Sequence, residues 1–345
     1  MLKLTINERT FHFKQPAGTS RGVYTTRRSW FVTATDTEHP QAIGVGECAP
    51  LPKLSCDDLS DYANVLRTMC DRVEREGKLV PDTLRNHPSM LFGLETALMT
   101  MRAASDVIFD TPFTKGEVGI PINGLVWMGD YEQMLVRMEE KMDKGFRCVK
   151  IKIGAIDFER ELDLVRRVRE RFKEEDIQLR LDANGAFSHQ EVLDVLQRLA
   201  PYAIHSIEQP IRQGQWEEMA EVCQKSPIPI ALDEELIGVN DMEKKQRLLE
   251  IIKPHYIILK PSLHGGMAGT TEWVDMARER GIGSWITSAL ESNVGLSAIA
   301  QLAAQLYGCP PDMPQGLGTG QLFTDNIDRP LKVVGDQLFY IKEGS

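Results

Sequence analysis

From residue 118 onward the chain alternates short apolar runs with longer amphipathic stretches. Six of the runs close on a polar or charged side chain: Lys152, Asp182, Glu208, Asp233, Lys260 and Ser288. Successive members lie 30, 26, 25, 27 and 28 residues apart. One strand and its covering helix fill such an interval, so the pattern predicts a (β/α) barrel that brings one side chain per strand to a common mouth. The predicted strands are 119–123, 148–153, 178–183, 204–208, 228–233, 256–260, 284–288 and a weak last one at 315–320. Side chains alternate between faces along a strand. In Cys148-Val149-Lys150-Ile151-Lys152-Ile153 the β-branched residues therefore face the helices and both lysines face the interior. In Leu179-Arg180-Leu181-Asp182-Ala183-Asn184 the interior face carries Arg180, Asp182 and Asn184. After Lys152, the residues Leu162, Val165, Val168 and Phe172 form an apolar stripe among arginines and glutamates, the packing surface of a helix on a sheet.

The first part of the chain has a different rhythm. Residues 3–13, 29–35 and 42–47 read as strands of an antiparallel meander, with the polar stretch 15–28 as the loop between the first two. Two helices follow over 59–76 and 88–105, the second carrying Leu91, Leu94, Leu98 and Met101 at helical spacing. Strands followed by helices make an α+β module. The expected organisation is an α+β domain over 1–115, a barrel over 116–320, and a tail over 321–345. The tail's strand pair, 331–341, leaves no room for an eighth helix and returns to the first module. The fold class is α/β, a modified TIM (β/α)7β barrel with a second domain. The length of 345 residues suits that division, since it exceeds a single ordinary core.

Composition narrows the partners. A formal net charge of −10 without a basic cluster argues against nucleic acid. The cysteines, Cys48, Cys56, Cys70, Cys148, Cys223 and Cys309, show no CxxC spacing and read as reduced packing thiols of a cytoplasmic protein. The opening MLKLTINERTFHF alternates like a strand, and no run of 18 apolar residues occurs, so neither a signal peptide nor a membrane span is expected.

The constellation at the strand ends carries chemistry. Asp182, Glu208 and Asp233 offer oxygen only, a donor set that suits Mg²⁺ or Mn²⁺ rather than zinc. Lysines on either side of such a metal point to proton transfer at carbon, the metal stabilising an enediolate while an amine moves the proton. Lys150, on the same face as Lys152, would lower the pKa of a lysine base there. Each element also has a plain explanation: Asp182-Ala-Asn-Gly as a turn, Glu208 as a barrel salt bridge, Asp233 as a helix cap, Gly265-Gly266 as a tight turn, His255 and His264 as packing. Five charges in phase at one spacing are what favour a site.

These residues carry a resemblance. The runs Lys150-Ile-Lys152, Leu181-Asp-Ala-Asn-Gly-Ala-Phe187, Ile207-Glu-Gln-Pro210, Leu232-Asp-Glu234, Leu259-Lys-Pro-Ser-Leu263 with Gly265-Gly266, and Thr287-Ser-Ala-Leu-Glu-Ser292 resemble the enolase superfamily in its muconate-lactonizing subgroup. Gly46-Glu-Cys-Ala-Pro-Leu-Pro52 and Phe92-Gly-Leu-Glu-Thr-Ala97 are similar to that family's capping domain, which extends the resemblance over nearly the whole chain. It implies a capping domain built from the N-terminal segment and the C-terminal tail. It also implies a Mg²⁺ site, with Mn²⁺ as substitute, held by Asp182, Glu208 and Asp233, and catalysis by Lys152 as base with Lys260 on the opposite face. The implied substrate is a small carboxylate, and the implied reaction is dehydration of 2-succinyl-6-hydroxy-2,4-cyclohexadiene-1-carboxylate to o-succinylbenzoate in menaquinone synthesis. A racemase of N-succinylamino acids is the alternative within the fold, and a non-catalytic metal-binding barrel the alternative outside it.

Further expectations concern the substrate pocket. Asp233 is preferred to Glu234 as the third ligand because Ala231 and Asp233 share a strand face; Glu234 is a neighbouring or alternate ligand. Lys150, Asn184, Ser288, Glu291, Asn293 and Gly318 are expected to line or support the pocket. The 18–28 loop is expected to act as a lid that brings Arg27 or Arg28 to an anionic group. The sequence sets no oligomeric state.

Overall fold

The structure, a computed structural model, describes residues 1–19, 22–127 and 129–341. Strands β1 (Leu2–Thr19), β2 (Gly22–Asp36) and β3 (His39–Cys48) form an antiparallel sheet in that order. Trp30, Val32 and Ala34 alternate onto one face, which α1 (Tyr62–Glu76) and α2 (Pro88–Ala103) cover with Tyr62, Leu66, Leu91, Leu94 and Leu98. Contact between β3 and α2 is backbone on backbone. A Cβ at Gly44 would come within 2.0 Å of the Ala97 carbonyl oxygen, and one at Gly46 within 1.8 Å of that of Gly93.

Stretch 15–28, expected as a loop, is instead the outer part of the β1–β2 hairpin: Ala17 pairs with Tyr24, and Gly18 with Val23. Pro16 lies where the register shifts, whereas Gly18 is paired within it. The shift between His12 and Ala17 absorbs Gln15 and Pro16 without ending the strand, as a bulge does.

Seven parallel strands follow: β5 (Gly124–Val126), β6 (Cys148–Lys152), β7 (Gln178–Asp182), β8 (Ile204–Glu208), β9 (Ile230–Leu232), β10 (Tyr256–Leu259) and β11 (Gly283–Ile286), hydrogen-bonded in chain order. Seven helices, α3 (Tyr131–Asp143) to α9 (Asn293–Tyr307), connect and cover them. Closure is slight, made by the bridges Ile122 to Gln315 and Thr287 to Gly316. The first barrel strand thus lies later than the expected 119–123. Within that expected span β4 (Ile120–Pro121) pairs instead with β13 (Gln337–Tyr340) of the C-terminal hairpin, whose other strand is β12 (Leu331–Val334). The tail touches both modules: Phe13 of β1 bridges Phe323, whereas Leu338 and Tyr340 join the barrel core.

Helix α4 (Phe158–Arg171) shows how local sequence sets an element. Asp157 caps its N-terminus by accepting from the Glu159 amide at 3.1 Å, Glu159 and Glu161 sit in the first turn, and Arg169 and Arg171 in the last, all matching the helix dipole. Its buried side is Leu164, Val165 and Val168, with Leu162 and Phe172 at the margin. Glu161 turns inward, where its Oε1 accepts from the amides of Gly154, Ala155 and Ile156 at 2.7, 3.0 and 3.2 Å. The loop after Lys152 is thereby pinned from within the barrel.

One buried carboxylate makes stability depend on pH. Asp57 Oδ2 accepts from the Ser89 amide and hydroxyl at 2.9 and 2.6 Å, but Oδ1 is buried without a partner. Burial outweighs the Ser89 bonds and pushes the Asp57 carboxyl up to about 6. Its folded pKa thus lies above its unfolded value, so its contribution is full below about pH 4 and is lost as pH rises through about 6. In urea titrations, Asp57→Asn should gain on the parent protein between pH 4 and pH 7, by on the order of 2 kcal/mol. A pH-independent difference between the two proteins would contradict this.

Candidate active site

Register places the charged side chains. Along the parallel ladder Lys152 pairs with Asp182, Asp182 with Glu208, and Glu208 with Ala231, so three functional groups stand at one level of the mouth. Ile151, Leu181, Ile207 and Leu232 point the other way into the core. Asp233 and Lys260 follow directly after β9 and β10.

Three lysine side chains lie among the carboxylates. Lys152 Nζ donates to Asp182 Oδ2 at 2.8 Å and Asn184 Oδ1 at 2.6 Å. Lys150 Nζ donates to Asp182 Oδ2 at 3.0 Å and Glu208 Oε2 at 2.8 Å, and Lys260 Nζ pairs with Asp233 Oδ2. Burial opposes the Lys150 charge, but Asp182 and Glu208 outweigh it and hold this lysine above its ordinary range. Burial likewise works against the Asp182 carboxylate, and Lys150 and Lys152 together pull it below its ordinary range. Glu208 is pushed up to about 8 by burial and by the Asp182 and Asp233 charges, against Lys150. Lys150 and Glu208 both move upward across one contact; we place the shared proton on Lys150, whose ammonium also serves Asp182.

Among the described residues no three His, Cys, Asp or Glu side chains form a ready ligand cage, and lysines bridge the carboxylates instead. The donor chemistry nevertheless fits a hard cation. Glu208 Oε1 and Asp233 Oδ1 are buried without any partner, and burial, with the Asp182 and Asp233 charges beside it, displaces Glu208 upward. An oxygen-seeking divalent ion satisfies both features.

The neighbours hold this arrangement. Asn184, at φ 46°, accepts from Lys152 and donates through Nδ2 to Glu234 Oε1 at 2.9 Å. Glu234 lines the cavity and keeps Oε2 buried and unpaired, whereas Glu235 turns away to accept from Gln209 and the Gly214 amide. Gln209, fully buried at φ 40°, accepts from the amides of Asp233 and Glu235 at 3.3 and 3.1 Å and so fixes the acidic turn. The cavity, about 420 Å³, has Ser288, Gly318 and Thr319 on one side, the two hydroxyls 2.6 Å apart. Leu51, Leu54, Trp127 and Leu290 supply an apolar wall. Gln209, Thr319 and Trp127 have no periodic signature. Gln209 alone had a cue, its place between Glu208 and Pro210.

Comparison with known proteins supplies a family. Residues 133–331 match the Enolase C-terminal domain-like family. The o-succinylbenzoate synthase of Desulfotalea psychrophila is 43% identical, covering 98% of this chain and 98% of that protein. The chain belongs to the o-succinylbenzoate synthase family. The crystal structure of MenC from Desulfotalea psychrophila superposes with TM-score 0.82 at 40% identity, over 98% of this chain and 99% of that one. A dipeptide epimerase from Enterococcus faecalis, solved with Mg and L-Leu-L-Tyr, matches with TM-score 0.83 over 99% of this chain and 96% of that one. At 20% identity that likeness speaks for the fold alone. The capped barrel expected from the sequence is therefore the architecture of this synthase family.

Four expected pocket residues of this family member stand elsewhere. Arg27 is 2% exposed and donates to the carbonyls of Ala49, Pro50, Ala289 and Leu290, stapling the 49–50 turn to the loop after β11. Arg28 alternates to the face of the sheet opposite Arg27, where it lies over the Trp30 ring at 4.7 Å. Glu291 is fully buried, accepting from the Ser262 hydroxyl and the Ala289 amide at 2.6 and 2.7 Å. Asn293 opens α9, its amide bonded to Asn326. None of the four lines the cavity, nor does any described residue of the β1–β2 hairpin. The expected lid is thus a strand pair, and strand alternation sends its adjacent arginines to opposite faces. Residues 20 and 21 lie outside the described residues.

Arg27→Met should cost about 2–4 kcal/mol of stability, since it strips a buried donor from several carbonyls, while Arg28→Ala stays within about 0.5 kcal/mol. Urea midpoints measure both. Equal small effects would return Arg27 to the surface.

Proposed function

We propose that this protein dehydrates 2-succinyl-6-hydroxy-2,4-cyclohexadiene-1-carboxylate to o-succinylbenzoate, a step of menaquinone synthesis, in the cytoplasm. One observation carries the reading. Lys152 and Lys260, four strands apart in the barrel, line a single cavity, each paired with a different carboxylate of the acidic set.

Asp182, Glu208 and Asp233 would hold Mg²⁺, with Mn²⁺ as substitute. When bound, such an ion would supply positive charge for the anion left when the substrate loses its α-proton. Lys152 Nζ takes that proton as the C–H bond breaks, and Asn184 keeps the amine aimed at the reacting carbon. The same Nζ returns the proton to the departing hydroxyl. The C–O bond breaks, water leaves and the ring becomes aromatic, so no oxidant or reductant is required. Lys260, held by Asp233, contributes positive charge from the far face. Lys150 remains a fixed cation between Asp182 and Glu208. The wall of Leu51, Leu54, Trp127 and Leu290 excludes water from the ring, and Ser288, Gly318 and Thr319 face the remainder of the substrate.

A second reading, racemisation of N-succinylamino acids, is favoured by the same pair of lysines, since inversion needs a proton donor and acceptor on opposite faces of the carbon. Turnover of the cyclohexadiene substrate and of N-succinylamino acids, run side by side, separates the two. Lys152→Ala should lose at least about 10²- to 10⁴-fold in dehydration, and Lys260→Arg should retain a trace. Near-parental dehydration by Lys152→Ala sinks the assignment of the base. Loss of inversion by both alanine variants, with no dehydration by the parent, favours the racemase.

Exhaustive chelation should abolish activity, and Mg²⁺ or Mn²⁺ should restore it. Glu208→Gln should weaken the Mg²⁺-dependent rise in Tm more than Glu234→Gln does, a readout that needs no turnover. The reverse order would move the third ligand from Asp233 to its neighbour.

A further inference from the structure

Buried carboxylates from the capping module end on the barrel's helix N-termini. Glu47, at the end of β3, accepts from the Ser292 amide and hydroxyl at 3.0 and 2.6 Å and from the Gly295 amide at 2.9 Å, at the start of α9. Glu95, in the middle of α2, accepts from the Met267 amide at 2.6 Å and the Ala268 amide at 3.1 Å, in the first turn of α8 (Gly266–Glu279). Helix N-termini carry unsatisfied N–H groups and partial positive charge, which suits a carboxylate. Fit at Glu95 is close. A Cβ at Gly266 would stand 2.3 Å from its Oε2, and Gly266 has φ +70°, a conformation natural to glycine.

This contact leads to Lys260 in a few bonds. The Gly266 amide donates to the Pro261 carbonyl at 2.9 Å, and the amides of Leu263 and His264 donate to the Lys260 carbonyl at 2.8 and 3.0 Å. The Lys260 amide donates back to His264 Nδ1 at 2.8 Å. Lys260 is therefore fixed by both its backbone groups to a turn that Glu95 anchors at its far end. Lys152 has the same device in another place: Glu161 of α4, part of the barrel itself, receives the three amides after that strand. The bonds that Arg27, Glu47, Glu95 and Arg85 make outside the capping module land on residues 240–295.

We propose that Glu95 is a positioning residue for the proposed reaction: through the first turn of α8 it sets the placement of Lys260, while Lys152 is positioned by the barrel alone. The capping module then shapes one half of the catalytic pair. Burial pushes the Glu95 carboxyl up to about 7, so its place beneath the loop is one that the fold sustains at a cost. The kinetic part of the test rests on the dehydratase reading above; the exchange part does not.

Glu95→Gln keeps the length of the side chain but has a single acceptor oxygen for two amides. It should lower kcat about tenfold with KM within about twofold, as a small displacement of an aligned group does. Hydrogen–deuterium exchange of the metal-free protein should speed up in the peptide spanning 260–268 and stay at the parental rate over 148–156. Glu95→Asp, which retains both oxygens, should recover part of kcat and keeps the test informative if the glutamine variant does not fold. Parental kcat in a variant whose 260–268 amides are deprotected overturns the positioning role. So does faster exchange spread evenly over both loops, which makes Glu95 a general stabiliser. A parent that fails to dehydrate removes the proposed function but leaves the exchange contrast to be read by itself.

Discussion

Four buried carboxylates, Asp182, Glu208, Asp233 and Glu234, stand on the wall of one cavity, and their mutual repulsion is the constraint around which the site is organised. Ionised groups taken out of water must recover their hydration from partners, or they take up protons instead. Here Lys150 bridges two of the acids, and Lys152 and Lys260 take one each. The compensation is incomplete at Glu208, whose Oε1 is buried without a partner. The same acids that destabilise an isolated barrel make it receptive to a hard cation.

Much of this was legible because a parallel barrel imposes two simple periods. A repeat near one βα unit located Lys152, Asp182, Glu208, Asp233 and Lys260, and alternation by two assigned their inward direction. Both periods are properties of backbone geometry, so one sequence displays them without comparison to others. Legibility failed where no period operates. Gln209 holds the acidic turn from a left-handed backbone position, and Thr319 reaches Ser288 from an irregular segment. Neither leaves a spacing to detect. The 15–28 stretch misled through composition, since proline and glycine signal a turn more strongly than the flanking Val23 and Tyr24 signal a strand. The first barrel strand was displaced because Ile120–Pro121 is strand-like too, yet its partner is the distant β13.

Arg27 and Glu291 teach a related lesson. Both are charged residues, and both are spent on supporting loops: Arg27 on four carbonyls, Glu291 on the Ala289 amide and the Ser262 hydroxyl. A mouth made of long loops contains many amides and carbonyls that no strand or helix satisfies, and buried charges are strong partners for them. Position near a mouth therefore selects both for chemistry and for loop support. Full hydrogen bonding separates the second group from the first, in which Glu208, Asp233 and Glu234 each keep an oxygen without a partner.

The glycine-mediated contact between β3 and α2 gives the capping module a fixed thickness where it faces the barrel. Gly46 precedes Glu47 in β3, and Gly93 lies two residues before Glu95 in α2, so the two carboxylates that reach the barrel sit beside the two places where side chains have been dispensed with. A single methyl group at either glycine would act as a shim, tilting sheet against helix and drawing one carboxylate off its helix end while pressing the other inward. Spacing between two acids that never touch is thus held by what is missing between them. Tolerance to substitution across this face should follow steric thickness rather than polarity, and the barrel's helix ends act as the gauge.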